Sequence, residues 1–346
     1  MKEKDVAVIL ATGSTPMVKA AYSAGTPAYG VGSGNVPAFI ERTANVQKAV
    51  ADIVTGTTFD NGTLCSSEQS MIVDRYILDQ ATGEAKKNGC YFVNEAEKKK
   101  LENTVLRDGR INPDIVGKPA AYIAEKAGFS VSNDIKVLLA HCENVGRSEP
   151  LSIEKLSPVL AFYIVDGWLE GCHKCIELLN FGGIGHTMVI HSNDKEVILK
   201  FALEKPAFRI LVNTPASVGA VGYTTALNPS MTLGVGTWGG SIISENVTAK
   251  HLMNIKTLAF ETNPMNQGKS VSSLDENVQY SGGSSLRASE GTFIDKIEER
   301  LRARAGNPRI EDTPVTKKTY AGDGDKIYGE SISKSEIDEI LSRFKS

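Results

Sequence analysis

The chain has 346 residues, 41% hydrophobic and 23% charged, with a formal net charge of −3, a length that allows two or more well-filled domains. So balanced a charge argues against a nucleic-acid binder working through phosphate contacts, which needs a basic excess. No apolar run is long enough to span a bilayer, Met1-Lys-Glu-Lys-Asp5 does not read as a signal peptide, and five scattered cysteines make no secreted disulfide framework, so the expected compartment is the cytosol.

Residues 6–10 read as a fully buried strand of a parallel sheet. Thr12-Gly13-Ser14-Thr15-Pro16 then predicts a helix start, with Thr15 as N-cap and Pro16 in the first helical position. The helix should run through Met17, Val18, Ala20 and Ala21 and stop at Gly25, ahead of a strand over 28–31. This is one β-α-β step. Its turn either receives a phosphate or part of a dinucleotide on free N–H groups, or is a bare structural turn; it is not a GxGxxG fingerprint. Gly30-Val31-Gly32-Ser33-Gly34 is glycine-dense, which implies close backbone approach or positive φ. Apolar residues at Val46, Ala49, Val50, Ile53 and Val54 predict an amphipathic helix. It leads into Phe59-Asp-Asn-Gly-Thr-Leu-Cys65, with a strand at Met71–Val73 beyond. A thiol held between regular elements yet reachable on a loop suits a nucleophile. On local grounds alone, an inert buried thiol fits better.

From 71 to about 225, strands over 135–140, 159–165, 187–190 and 209–212 alternate with helices near 75–88, 94–106, 120–127, 168–179 and 194–203, so the class is α/β. Cys172 and Cys175 have CxxC spacing but no second pair, and they lie inside an apolar helix, which reads as packing and not as a metal site. No metal site is expected. Residues 262–289 read as a linker and 306–326 as disordered. Ser333 and Glu336 form a capping box ahead of an apolar stripe at Ile337, Ile340, Leu341 and Phe344. A helix so short is marginal alone and is expected to dock, on its own domain or on a partner.

Taken together, Thr12-Gly-Ser-Thr15, the run at 30–34, Phe59–Cys65 and Glu154-Lys-Leu-Ser-Pro158 resemble the aldehyde dehydrogenase superfamily. Phe181-Gly-Gly-Ile-Gly-His186-Thr187, Arg209–Ser217 and Leu233–Gly240 narrow the resemblance to its CoA-acylating branch. It covers roughly residues 4–260. The resemblance implies an α/β fold made of a partial nucleotide-binding sheet (1–38), a catalytic domain (39–225), a return and oligomerisation segment (226–260) and a tail (261–346). It implies that Cys65 is the nucleophile and that NAD and coenzyme A are cofactor and co-substrate. Thr12, Gly13, Ser14 and Val31 match positions against the cofactor, and Glu154 matches the glutamate that hydrogen-bonds the nicotinamide ribose. The expected partners are a small aldehyde, CoA and further copies of the chain. A tail of the kind at 333–344 resembles those that hold cargo in bacterial microcompartments.

Two departures matter. Hydrolytic members carry a glutamate base in a Glu-Leu-Gly-Gly motif where this chain has Gly30-Val31-Gly32-Ser33. A thioester that water cannot readily attack is left for CoA, so acyl-CoA is the expected product. His186 is a further candidate for thiol transfer or CoA contact. The resemblance also begins partway through the family's nucleotide-binding sheet, so an N-terminally incomplete chain is expected. A hydrolytic (semi)aldehyde dehydrogenase and an inactive remnant serving assembly are the alternatives.

Overall fold

The computed structural model describes residues 1–260 and Thr262. Met1–Leu258 form one compact unit. The linker, disordered stretch and tail helices expected beyond residue 262 lie outside the described residues.

Strand β1 (Ile9–Thr12), helix α1 (Thr15–Tyr22) and strand β2 (Ala28–Val31) make the expected β-α-β step, with β1 and β2 parallel. Two details differ from expectation. The strand is Ile9–Thr12 and not 6–10, and it is largely open, with Leu10 exposed and Ala11 buried. Helix α1 packs on this two-stranded sheet, and Tyr29 of β2 meets His251 edge-on and donates to its carbonyl at 3.0 Å. The N-cap is Ser14 instead of Thr15, and its side chain makes no capping bond.

The main sheet has seven parallel strands in the order β11-β10-β3-β4-β9-β8-β5. They are β3 (Val36–Ile40), β4 (Glu68–Asp74), β5 (Cys90–Phe92), β8 (Val137–His141), β9 (Val159–Val165), β10 (Gly185–His191) and β11 (Ala207–Val212). A two-residue hairpin pairs β6 (Leu106–Arg107) with β7 (Arg110–Ile111). The helices α2 (Val46–Thr58), α3 (Leu78–Lys87) and α8 (Ala216–Ala220) cover one face. The other carries α4 (Glu95–Val105), α5 (Ala120–Lys126), α6 (Gly167–Phe181) and α7 (Lys195–Leu203).

Alternation builds both cores from single strands. Phe39 and Ile72 enter the core under α6, whereas Ala38, Ile40, Met71 and Val73 enter the one under α2. The periodicity expected of α2 is matched by full or near-full burial of Val46, Ala49, Val50, Ile53 and Val54. Cys172 and Cys175 are fully buried on α6, consistent with packing. No group of His, Cys, Asp and Glu among the described residues suits a metal ion, and no helix there is long and apolar enough to cross a membrane.

Candidate active site

The loop entering β4 is shaped by an Asp60-Asn61-Gly62 run with φ of 48°, 49° and 78°. Asp, Asn and Gly are the residues that tolerate the left-handed region, so this sequence lets the chain reverse tightly after α2. Gly62 then packs on the Ser157 backbone, where an added Cβ would meet main-chain atoms at 3.0–3.1 Å. The far side of the loop is tied to α8. Ser66 Oγ donates to Ser217 O at 3.3 Å, and Glu68 Oε1 accepts the Ala216 N–H at 2.6 Å.

Cys65 is half-buried at the end of this loop. The charge of Arg209 and the nearby N–H groups of Cys65 and Ser66 favour the thiolate. Burial, helped by the charge of Glu154, outweighs them and pushes the thiol up to about 12. The resting group at neutral pH is therefore the thiol.

Gly34 links the glycine run to both. Its N–H donates to Glu154 Oε1 at 2.7 Å, and a Cβ there would stand 1.8 Å from the Cys65 carbonyl oxygen. The Gly34 carbonyl lies as tightly against Gly183, where a Cβ would approach it to 1.9 Å. Three chain segments thus meet backbone to backbone, and that is the close approach the glycine density implied. The next residue, Asn35, sits at φ 83° and donates through Nδ2 to Ser152 O (3.0 Å) and Leu178 O (2.9 Å). Burial raises the Glu154 carboxyl above its ordinary range, against the pull of the Gly34 N–H and the Ser33 hydroxyl.

His186 opens β10 and is fully buried. Its Nδ1 pairs with Thr187 Oγ1 at 2.9 Å and its Nε2 has no partner among the described residues. Burial and Arg209 hold it down to about 3, so it is neutral. Arg209 is nearly enclosed. It donates to Asn246 Oδ1 (2.8 Å), His186 O (3.1 Å), Ser244 O (3.2 Å) and Gly234 O, and burial lowers it to about 10. Single-residue reasoning passed over Arg209 and Asn35. An arginine inside the apolar run Phe208–Val212 was the available signal, because a strand buries a cation only for a set of acceptors.

Gly34, Cys65, Glu154, His186 and Arg209 therefore gather where β3, β4, β9, β10 and β11 begin, the amino rim of five neighbouring strands. The Thr12–Ser14 turn is exposed and lies on the smaller sheet, with Gly13 N–H donating to Val31 O at 3.0 Å. Thr12 Oγ1 meets Thr232 Oγ1 at 3.3 Å and not Cys65. Val31 is fully buried, three residues before Gly34. A cleft of about 690 Å3 lies at the opposite rim, lined by residues that include Lys98, His141, Cys142, Glu149 and Tyr163, and borders none of these groups.

Residues 1–97 match the aldehyde dehydrogenase family. The chain is 46% identical over 273 residues to aldehyde-alcohol dehydrogenase 2 of Entamoeba histolytica, covering 76% of this chain and 31% of that protein. It superposes on an acetylating aldehyde dehydrogenase from Geobacillus thermoglucosidasius with a TM-score of 0.75 and 48% identity, covering 77% of this chain and 59% of that one. The Rhodopseudomonas palustris propionaldehyde dehydrogenase, solved with bound CoA and an acylated cysteine, matches with a TM-score of 0.63 and 30% identity, over 70% of this chain and 54% of that one. The chain thus spans about a third of the first of these relatives and under two thirds of the two solved structures. Sequence and fold together make this chain a member of the aldehyde dehydrogenase family, with acylating enzymes among its structural relatives.

Proposed function

We propose that this chain carries the acyl-forming chemistry of a CoA-acylating, NAD-dependent aldehyde dehydrogenase acting on a short aldehyde. The observation that carries the reading is the meeting of Cys65, Gly34 and Glu154, with only glycine, valine and serine across 30–34. No carboxylate stands in that run to activate water, which favours CoA as the acceptor.

The exposed Thr12–Ser14 turn and the uncapped N-terminus of α1 fit a dinucleotide, because N–H groups at an uncapped helix start suit an anionic group. When bound, that cofactor supplies the hydride acceptor. Glu154 would accept hydrogen bonds from its ribose hydroxyls. Cys65 Sγ adds to the aldehyde carbon, and the thiol proton goes to the carbonyl oxygen, giving a thiohemiacetal. The Cys65 N–H is available as an oxyanion donor. Loss of hydride and of the hydroxyl proton leaves a thioester on Cys65. The CoA thiol then attacks, the carbon–sulfur bond to Cys65 breaks, and Cys65 recovers a proton. Fully buried and with its pKa near 3, His186 is too weak a base to take the CoA proton.

Acetyl-CoA should acetylate Cys65 in the absence of any nicotinamide, because thioester exchange is the reverse of the last step. Mass spectrometry of the Cys65 peptide reads this out, and absence of an acetyl increment there sinks the proposal. With acetaldehyde and NAD, NADH should appear only when CoA is present; free acid without CoA would favour the hydrolytic reading. The stripe at 333–344 is proposed as a shell-docking segment, and deletion of 327–346 should release the protein from a microcompartment.

A further inference from the structure

Beside Glu154, the Lys155 side chain is fully buried. None of its hydrogen-bond partners is a carboxylate. Its Nζ donates to Leu151 O and Ile153 O, both at 2.7 Å, and to Gln69 O at 3.1 Å. Its own N–H donates to Gln69 Oε1 at 2.9 Å. A buried ammonium is costly to desolvate, and here three carbonyls, directed by the chain, satisfy all three of its donors. An apolar side chain would fill the same volume without that cost.

Burial lowers the Lys155 amine to about 7, while three carbonyl acceptors favour its protonated form. Gln69 is on β4, four residues after Cys65. Leu151 and Ile153 belong to the turn that carries Glu154 into β9. Lys155 Nζ therefore holds the Glu154 turn closed and ties it to the Gln69 main-chain carbonyl on the Cys65 strand, while the Lys155 main-chain N–H meets Gln69 Oε1. Asn35 grips the same turn from the glycine run, through Ser152 O at 3.0 Å. Glu154 and Lys155 leave adjacent positions for different partners, one meeting Gly34 and the other Gln69.

We propose that Lys155 is a positioning residue, which through Gln69 sets where the Glu154 carboxylate stands relative to Gly34 and the Cys65 loop. This rests on the reading of Cys65 and Glu154 as working groups. Its test uses a readout that needs neither cofactor nor turnover.

Site-resolved hydrogen exchange of the full chain should show the Gly34 amide protected by Glu154 Oε1. Lys155→Met keeps most of the side-chain length and removes the donors. It should speed Gly34 exchange about tenfold or more, the scale expected when a buried charge-assisted bond loses its support. Amides of β5, at the far edge of the sheet, should be unchanged. Lys155→Gln, whose shorter side chain cannot reach the three carbonyls, gives the same readout if Lys155→Met does not fold; Gln69→Ala, which removes only the acceptor of the Lys155 main-chain N–H, should give a smaller acceleration at the same amide. Lys155→Arg, which keeps the donors, should restore part of the protection. Unchanged Gly34 exchange, or an acceleration spread evenly over the whole sheet as a purely stabilising role would give, overturns the proposal. Acetylation of Cys65 is a separate readout. Its failure removes the proposed function and leaves Gly34 exchange to decide the clamp.

Discussion

The α-carbon of Gly34 lies so close to the carbonyl oxygen of Cys65 that a methyl group on it would stand 1.8 Å away. The obstacle is backbone, so no rotamer change relieves it, and one of the two loops must move. Gly34→Ala should cost on the order of 1–3 kcal/mol in denaturant unfolding. Acetylation of Cys65 should fall by about a hundredfold or more, because the loop that presents the thiol is displaced. A variant that accepts acetyl at the native rate would show that the contact is incidental.

Cys65 alkylation should report the two charges that act on it. The thiol is pushed up to about 12 by burial and then by Glu154, while Arg209 pulls the other way. Iodoacetamide modification should therefore rise about tenfold per pH unit through the neutral range with no plateau. Glu154→Gln removes the opposing charge and should speed the reaction at a fixed pH; Arg209→Met should slow it. Opposite signs in either variant would contradict the electrostatic picture.

Glu68 should make the domain's stability depend on pH in a direction opposite to that of a salt-bridged carboxylate. Full burial raises it from 4.5 to about 8, against the Ala216 N–H, and its Oε2 has no partner among the described residues. The folded state therefore holds a proton that the unfolded chain releases above pH 4.5. The stabilising contribution is complete below that value and is lost as pH rises through about 8. Glu68→Gln keeps an oxygen for Ala216 and cannot ionise. The difference in unfolding free energy, wild type minus variant, should fall between pH 5 and 9, as measured by urea titration. A flat difference would place Glu68 in its ionised form.

Phe39 should matter for stability and not for chemistry. It is fully buried, stacks on Phe201 at 5.6 Å between ring centroids, and leaves no room for a side chain at Gly171. Phe39→Ala should cost about 3–5 kcal/mol while Cys65 still accepts acetyl in the folded fraction. Loss of acetylation in fully folded protein would tie the α6 core to the site.

Much of this was legible in the sequence because its signals are local. The spacing of Val46, Ala49, Val50, Ile53 and Val54 states a helix face without reference to anything distant, and β9 falls on 159–165 as read. Strand β3 was harder. Val36-Pro37-Ala38-Phe39-Ile40 contains a proline, and only its pairing with β4 and β10 makes it a central strand. The short β5, the β6–β7 hairpin and α8 were also missed, since two to five residues carry no periodicity. At the site, the glycine density of 30–34 announced a close approach but not to what. That Gly34 touches Cys65, and Lys155 reaches Gln69, depends on separations of 31 and 86 residues, which no local pattern encodes.

In open parallel sheets ligands commonly settle beyond the carboxyl ends of the strands. Here the proposed reacting groups stand on segments that lead into strands, at the amino ends of β3, β4, β9, β10 and β11. The two rims of one sheet are thereby separate territories. The segments leading out of β4 and β9 can lengthen, change charge or acquire a neighbour without displacing the thiol. An insertion of one residue on the entering side shifts Cys65 or Glu154 directly. Variation in chains built on this plan should therefore be permissive at one rim and restricted in length at the other.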